Sequence, residues 1–272
     1  MGTFLDLARV NVARGDAVVL HDINLDVAVG EHIAILGPNG CGKSTLIKTI
    51  TCECYPLASE GTRVEIFGRQ RWDLTELKRR LGVVQTELPG KPTLKTTGRD
   101  AVLTGFFSSS TLWPNLRVTD EMRRKADQVL ELVGATDLAG KLVGEMSAGQ
   151  QRRIMIGRAL VGSAAAAASG EAGGDPPNQM LLLDEPSNAL DLAAQHGLRA
   201  MLRGLARRGT GLLLITHHIA DILPEIARVI LMREGRIVAD GAKQDLLRSD
   251  VLGELFRTEV TVREQDGFFH AW

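Results

Sequence analysis

A glycine-rich segment near the start of the chain has the residue types and spacing of a phosphate-binding loop. Its glycines allow backbone N–H groups to converge on phosphate oxygens, where larger side chains would block the approach. Lys43 adds a full positive charge for the outer phosphates, and the hydroxyl of Ser44 is suited to ligate Mg²⁺. We therefore predict that the phosphates of a nucleotide bind to Gly37, Pro38, Asn39, Gly40, Cys41, Gly42, Lys43, Ser44 and Thr45.

Two adjacent carboxylates close an apolar run at residues 180–183. Ligands of parallel α/β sheets lie at the C-terminal ends of the strands, so Asp184 and Glu185 are placed to face the same phosphates. Successive side chains of a strand point in opposite directions, which allows two different roles. We predict that Asp184 holds Mg²⁺ and that Glu185 accepts a proton from the attacking water. The alternative is a charged strand end that enters a turn at Pro186.

A pair of histidines, His217 and His218, follows another apolar run at residues 212–216. A neutral imidazole at a strand end can donate a hydrogen bond to a terminal phosphate or orient a water. A structural role is the alternative for either side chain, and the residues alone do not choose between the two.

The hydrophobic pattern around the glycine-rich loop predicts the elements that position it. Alternating apolar segments at about residues 5–12 and 17–29 predict two N-terminal strands. A β-branched run at residues 33–36 predicts a buried parallel strand, and residues 43–50 are compatible with a helix. Strand, glycine-rich loop and helix together form the context that phosphate binding requires.

Helical spacing dominates the middle of the chain, from about residue 86 to residue 160. It is clearest at residues 121–133, where four apolar side chains share one face: Ala126, Val129, Leu130 and Val133. Strand-like and helical patterns then alternate through residues 180–183, 192–206, 212–216 and 229–232. This alternation predicts an α/β fold with a mainly parallel sheet.

The composition narrows the class of protein. The chain has 272 residues, of which 44% are hydrophobic and 24% charged, with a formal net charge of -1. This balance gives no electrostatic argument for a nucleic-acid partner, and none is expected. No apolar run approaches the roughly 18 residues that span a bilayer, and the N-terminus lacks a signal-peptide pattern. A role at a membrane would therefore need a separate membrane protein.

The three cysteines, Cys41, Cys52 and Cys54, argue against a disulfide framework because their number is odd and their spacing is not paired. A reducing compartment fits this usage better. Cys52 and Cys54 can also be interpreted as a fragment of a metal site, although the sequence contains no second cluster that completes it.

Six motifs in a fixed order resemble the nucleotide-binding subunit of ATP-binding-cassette (ABC) proteins, over about residues 1–245. Within that family, Ser147-Ala148-Gly149-Gln150 is similar to the signature motif that distinguishes ABC proteins from other phosphate-loop enzymes. In chain order the motifs are residues 37–45, Gln85 after Gly82-Val83-Val84, residues 146–152, residues 180–185, residues 187–191 and His217.

The resemblance implies one nucleotide-binding domain at residues 1–245, a phosphate-loop NTPase core with an N-terminal antiparallel β subdomain and a helical insert. The core would comprise residues 1–85 and 160–245, and the insert, at about 86–160, would carry the signature motif. Alanines followed by Gly-Gly and Pro-Pro predict a surface loop at 163–179, unless the alanines prolong the preceding helix. Residues 246–272 form a C-terminal extension, interpreted as a docked strand or a dimer contact.

A dimer is the second implication of the resemblance, either a homodimer or a pair of ABC subunits. Each ATP would lie between the phosphate loop of one chain and the signature motif of the other. Ser147, Gly149 and Gln150 would then bind ATP, since the N–H groups at the start of the next helix form a second anion site.

The resemblance also implies roles for three further residues in Mg²⁺-dependent ATP hydrolysis. Gln85 would sense Mg²⁺ and the attacking water, and would couple the nucleotide to movement of the helical insert. His217 would act in catalysis beside Glu185, with His218 structural. Asp191 would lie at the dimer contact. The implied cofactors are ATP and Mg²⁺.

Two positions depart from the family pattern. Where most relatives have an aromatic residue that stacks on adenine, this chain has Val12-Ala13-Arg14-Gly15. Arg14 would stack its guanidinium plane on the base, or it is a solvated arginine. Ala148 replaces the first glycine of the signature. Its methyl group would crowd the phosphate contact unless the φ of this residue is negative, and we expect activity to be retained.

Two segments, at residues 102–109 and 216–224, are similar to a bacterial subgroup associated with uptake of molybdate and related metal compounds. The first segment contains Phe106 and Phe107, which with Trp113 would line a cleft for a permease helix. The alternative is that all three side chains fill the small core of the helical insert.

We therefore predict the ATPase subunit of an ABC importer that works with an integral-membrane permease. Its predicted location is cytoplasmic, peripheral at the inner face of the cell membrane. The alternative is a solo ABC ATPase with a soluble regulatory or stress role and no permease.

Overall fold

The computed structural model of the chain describes residues 2–168 and 180–272. These residues form two compact units. Unit 1 comprises Met1–Leu74 and Gly211–Trp272, and unit 2 comprises Thr75–Thr210. The strands are β1 (Thr3–Arg14), β2 (Ala17–Ala28), β3 (His32–Leu36), β4 (Arg63–Ile66), β5 (Leu81–Val84), β6 (Met180–Asp184), β7 (Gly211–Thr216), β8 (Arg228–Arg233), β9 (Arg236–Ala242), β10 (Val262–Gln265) and β11 (Phe268–Ala271).

The helices connect and cover these strands. In chain order they are α1 (Lys43–Ile50), α2 (Leu74–Arg80), α3 (Gly98–Leu103), α4 (Asp120–Leu132), α5 (Ala148–Ala168), α6 (Leu192–Arg207), α7 (Lys243–Leu246) and α8 (Ser249–Phe256). The strands and helices predicted from periodicity are confirmed, with ends that differ by one or two residues.

Unit 1 contains the predicted antiparallel β subdomain, in which the strand order is β2-β1-β4. The strand β1 buries both Leu7 and Val10, although they are three positions apart and strict alternation would point them to opposite faces. Both can face inward because the register shifts between them, next to Arg9, whose φ is 50°. A bulge of this kind resets the alternation of a strand and increases its twist.

Parallel pairing in unit 1 places two chain segments side by side. β3 pairs in parallel with both β7 and β8, and β9 pairs antiparallel with β8. In the β3–β7 pair, Leu36 is the partner of Thr216. The segments that follow these two residues therefore leave the same edge of the sheet.

Unit 2 is a group of helices around α5, together with the parallel pair of β5 and β6. α5 packs against α3, α4, α6 and β5, and its apolar residues Ile154, Ile156 and Val161 are fully buried. The division into units cuts the chain at 74 and 210, whereas the predicted core and insert meet at 85 and 160. The strand β5 belongs to unit 2 because α5 packs against it. The boundaries at 85 and 160 stay a prediction.

The alanine-rich stretch continues a helix. α5 extends to Ala168, so a loop beginning at residue 163 is wrong. Alanine has the highest helix propensity, and the preceding turns of α5 already supply the costly helix nucleus. The remainder of the predicted loop, residues 169–179, lies outside the described residues.

The C-terminal extension forms α8 and the antiparallel hairpin of β10 and β11 in unit 1. Phe269 of the hairpin is buried. Lys243 donates from Nζ to the carbonyl oxygens of Leu223 and Pro224, at 3.2 and 3.0 Å, and lies 5.7 Å from the ring of Phe269. Of the two interpretations of this extension, the contacts within unit 1 favour the docked strand.

Within the described ranges, no helix combines the length and the apolar character that a membrane crossing requires.

Candidate nucleotide-binding site

The glycine-rich loop lies in unit 1 between β3 and α1, as its sequence context predicts. Gly37 must lack a side chain, because an added Cβ would lie 2.3 Å from the backbone oxygen of Met232. Gly42 precedes α1 with a φ of 107°, a conformation that residues with side chains rarely adopt. These two positions fix the curvature of the loop where it enters α1, whose N-terminus favours anions.

The side chain of Lys43 folds back over the loop. Its Nζ donates to the carbonyl oxygens of Gly37 and Pro38, at 2.7 and 3.0 Å, and the residue is only 7% exposed. The hydroxyl-bearing neighbour Ser44 is exposed, whereas Thr45 is buried. The loop thus holds a positive charge at its centre and presents one hydroxyl group to solvent.

A turn between β8 and β9 fastens the loop to the N-terminal β sheet. The N–H of Gly235 donates to the carbonyl oxygen of Cys41 at 2.9 Å, and the N–H of His21 donates to that of Gly235 at 2.8 Å. Sequence reasoning did not identify Gly235. The Glu234-Gly235 dipeptide between two strand patterns is a turn signal, but nothing local indicates that the turn reaches Cys41.

His217 leaves the sheet beside the phosphate loop. It follows Thr216, the register partner of Leu36, from which the loop departs. Thr216 orders this segment, because its Oγ1 donates to Asp221 at 3.1 Å and accepts from the N–H of His218 at 2.9 Å. His217 is partly buried and its ring lies 3.8 Å from that of the exposed His218. Unit 1 therefore unites the phosphate loop with one candidate catalytic imidazole.

Arg14 ends β1 in unit 1 and its side chain is exposed. No aromatic residue occupies this position, so the guanidinium plane is the one flat group that the end of β1 offers to a base. The role of Arg14 stays a prediction.

The signature segment of unit 2 is a helix N-terminus stabilised by a capping box. The N–H of Gln150 donates to Oγ of Ser147 at 3.3 Å, and Gln150 Oε1 accepts from the N–H of Ser147 at 3.1 Å. These reciprocal bonds leave the N–H groups of Ala148 and Gly149 at the open end of α5. Such a terminus favours anions.

Ala148 is the first residue of α5, is exposed, and does not have a positive φ. The backbone here suits any L-residue, so replacing a glycine causes no strain. Of the two possibilities for this departure, the backbone supports accommodation of the methyl group.

The two carboxylates lie at the end of β6 in unit 2. Asp184 is the last residue of the strand, and Glu185 follows with a φ of 48°. A non-glycine residue in this left-handed region is uncommon, and such backbone strain is concentrated at functional sites. The N–H of Asn188 donates to the carbonyl oxygen of Glu185 at 3.1 Å, which closes the turn.

Gln85 follows β5 within unit 2 and lies next to Asp184, since Val84 and Leu183 are partners in the parallel β5–β6 pair. Its side chain is exposed, but its carbonyl oxygen accepts a hydrogen bond from Nη1 of Arg152 at 2.8 Å. Arg152, which sequence reasoning did not assign a role, is only 7% exposed. Burial lowers the pKa of its guanidinium, and the negative charge of Asp184 opposes this shift.

The three aromatic residues of the predicted cleft differ in exposure. Phe106 is buried, Phe107 is partly buried and Trp113 is 52% exposed. The interpretation that all three fill the core of the helical insert is therefore wrong for Trp113. Phe106 does belong to that core, because it follows α3, which packs against α5.

The chemistry of the candidate Mg²⁺ ligands fits the ion. Mg²⁺ is a hard cation that prefers oxygen ligands and usually binds one or two carboxylates with phosphates and water. Ser44 offers an exposed hydroxyl at the loop, and Asp184 and Gln85 offer oxygens at the ends of neighbouring strands. These donors suit an ion that enters together with a nucleotide.

Comparisons with known proteins identify the family of this chain. The family model described as ABC transporter matches residues 20–168. The chain is 30% identical over 263 residues to the uncharacterized ABC transporter ATP-binding protein YmeB of Lactococcus lactis, covering 96% of this chain and 95% of the relative. It is 32% identical over 254 residues to the hemin import ATP-binding protein HmuV of Hahella chejuensis, covering 93% and 92% of the two chains.

A solved structure shares the fold. It is the dimeric structure of a post-hydrolysis state of an ATP-binding cassette bound to ADP and Pi, which matches with a TM-score of 0.67 at 24% identity, covering 88% of this chain and 98% of that chain. The α/β fold with an antiparallel β subdomain is thus that of the ABC cassettes. By the family model and by its relatives, this chain belongs to the ABC transporter family and is an ATP-binding and ATP-hydrolysing subunit of that family.

Proposed function

We propose that this chain powers an importer by closing on ATP as a dimer, either with a second copy or with a paired ABC subunit. The observation that carries the proposal is the open helix N-terminus at Ser147–Gln150, a second anion site in a chain that already has a complete phosphate loop. The relative that was solved with ADP and Pi is dimeric. Each ATP would contact the loop of one chain and Ser147, Gly149 and Gln150 of the other.

The exposed surface next to the signature supports a dimer contact. Asp191 caps α6 by accepting a hydrogen bond from the N–H of Ala194 at 2.7 Å. The following residue, Leu192, is 84% exposed and places an apolar side chain beside this cap. We assign Asp191 and Leu192 to the surface that a partner chain covers.

In the hydrolytic step, Lys43 binds the outer phosphate oxygens as the γ-phosphoryl group is transferred to water. Glu185 accepts the proton of the attacking water, and His217 donates a hydrogen bond to the γ-phosphate. Ser44, Asp184 and Gln85 would hold Mg²⁺, which supplies positive charge to the phosphates when it is bound.

We propose a metal-containing compound as the cargo and an integral-membrane permease as the partner. The support is the name of the hemin import relative, together with the similarity of residues 102–109 to the subgroup associated with molybdate uptake. The half-exposed Trp113 is available for a permease helix. In this arrangement the chain lies on the cytoplasmic face of the membrane, bound to its permease.

The composite ATP site is tested with purified Glu185→Gln. Removing the proton acceptor should trap ATP, so we expect Mg²⁺-ATP to convert this variant to a dimer in sedimentation and to remain bound through gel filtration. Glu87→Gln, an exposed neighbour of the candidate site, is the matched control and should stay monomeric after turnover. A Glu185→Gln variant that neither dimerises nor retains ATP would contradict the proposal.

The membrane partner needs a separate experiment. The tagged chain should co-purify from detergent-solubilised membranes with an integral-membrane protein. Recovery with a soluble partner alone would favour the solo ATPase with a regulatory or stress role.

A further inference from the structure

Arg152 lies where three parts of unit 2 meet. The signature helix α5, the segment after β5 and the turn after β6 line a small cavity of about 90 Å³. Gln85 and Thr86 come from the second of these parts, and Asn188 and Ala189 from the third. From α5, Ala148 and Arg152 reach this cavity together because residues four apart share one helix face.

The burial of this guanidinium requires an explanation. A buried charge is costly unless it is hydrogen-bonded or paired with an opposite charge. The structure satisfies the requirement in two ways, with the 2.8 Å bond to the carbonyl oxygen of Gln85 and with the negative charge of Asp184. Both partners are predicted to act on Mg²⁺, and neither is close to Arg152 in sequence.

The contrast with the next residue shows that this placement is specific. Arg153 is on a different face of α5, is more exposed, and donates to the carbonyl oxygen of Gly134 at 3.2 Å. It does not line the cavity that Arg152 and Gln85 share. A second arginine on the same turn therefore serves the packing of α4 against α5, whereas Arg152 reaches the candidate site.

We propose that Arg152 is a positioning residue that holds the Gln85 segment to the signature helix and orients Gln85 relative to Asp184. Its rigid planar fork binds the carbonyl oxygen of Gln85, the residue that follows β5 beside Asp184. Because Ser147 caps the same helix five residues earlier, a shift of Gln85 is transmitted to the anion site at the start of α5. This inference rests on the proposed ATPase mechanism, in which it connects Gln85 with the anion site at the start of α5.

The first arm of the test needs neither nucleotide nor activity. Hydrogen–deuterium exchange of the nucleotide-free protein should show faster exchange at residues 85–88 in Arg152→Gln than in the wild type, by about tenfold, since a bond to a charged group is lost. Arg153→Gln, the matched control, should leave exchange at residues 85–88 unchanged.

The second arm measures the reaction. We expect kcat of Arg152→Gln to fall by about tenfold to hundredfold, the range for residues that orient metal ligands, while the KM for ATP stays within about twofold. The Mg²⁺ concentration for half-maximal rate should rise in parallel. Arg152→Lys, which keeps the charge without the planar fork, should give intermediate values, and it carries the test alone if Arg152→Gln does not fold.

Two results would overturn the proposal. The first is that Arg152→Gln has the same exchange at residues 85–88 and the same kcat as Arg153→Gln. Where Arg152→Lys carries the test instead, the corresponding result is exchange and kcat equal to those of the wild type. The other is a uniform rise in exchange across unit 2 with kcat and KM both altered, as a merely structural role predicts. A wild-type protein without ATPase activity would instead contradict the proposed function, and the exchange arm would still decide the role of Arg152.

Discussion

Lys43 donates from Nζ to the carbonyl oxygen of Gly37 across 2.7 Å, so the cation of the phosphate loop is bound by the loop itself. The carbonyl oxygen of Pro38, at 3.0 Å, is a second acceptor. If a nucleotide binds as predicted, phosphate oxygens would replace these two carbonyl oxygens around the ammonium group. That group is already buried, so the exchange would remove little further hydration from it.

Lys43→Ala should weaken ATP binding strongly. The variant loses hydrogen bonds from a charged donor, worth about 1.5–3 kcal/mol, which corresponds to about tenfold to hundredfold in the dissociation constant. Isothermal titration with ATP measures this loss. Lys48→Ala, on the same helix α1, is the control and should bind ATP as the wild type does. Equal affinities for the two variants would exclude a phosphate contact of Lys43.

Arg14→Ala should weaken binding of ATP but not of inorganic triphosphate, if the guanidinium stacks on adenine. An exposed stacking or cation–π contact contributes about 0.5–1 kcal/mol, so the expected loss for ATP is about twofold to fivefold. Triphosphate, which has no base, provides the matched comparison in the same titrations. A loss of equal size for both ligands, or for neither, would show that Arg14 is a solvated arginine.

Local patterns predicted the parts of the candidate site, because each part has its own signal. The β-branched run before Gly37, the apolar run before Asp184 and the glycine spacing of the loop each specify an element by periodicity or turn chemistry. Parallel strands then place their C-terminal ends at one edge, and this explains why Leu36 and Thr216 are partners.

The contacts between distant segments could not be predicted in this way. The bond from Arg152 to Gln85 joins residues 67 positions apart, and no local pattern distinguishes Arg152 from Arg153. Likewise, the exposure of Trp113 depends on how the insert packs, and its sequence shows only an aromatic residue in an apolar segment. Tertiary packing decides both.

Alanine substitutions at Gly149 and Gly204 should change the stability of the protein in opposite directions. In Gly149→Ala the new Cβ would lie 2.7 Å from Cβ of Ala194, so α5 and α6 must separate, and overpacking of this kind costs about 1–3 kcal/mol. Gly204, within α6, has open space around it, so Gly204→Ala should stabilise the protein by about 0.5–1 kcal/mol through helix propensity. Urea unfolding midpoints measure both effects, and shifts in the same direction would contradict the packing of α5 on α6.

His32 should make the stability of the protein depend on pH near neutrality. It begins β3, and its Nδ1 is buried without a hydrogen-bond partner among the described residues. Burial lowers the pKa of His32 from the ordinary value of 6.5, although the charges of Glu225 and Glu31 oppose the shift. Below pH 6.5 the unfolded chain therefore binds more protons at this residue than the folded protein does.

Neutral His32 therefore contributes to the free energy of unfolding above pH 6.5. This contribution is lost as the pH falls from 6.5 through the lowered pKa of the folded state. We expect His32→Gln to lose less stability than the wild type when urea unfolding is compared at about pH 7.5 and about pH 5. His270→Gln, which removes an exposed imidazole, is the control and should keep the wild-type dependence. The prediction is contradicted if His32→Gln and His270→Gln show the same pH dependence of unfolding. In that case His32 would bind protons equally in the folded and unfolded states, and its imidazole would be solvated in the folded protein.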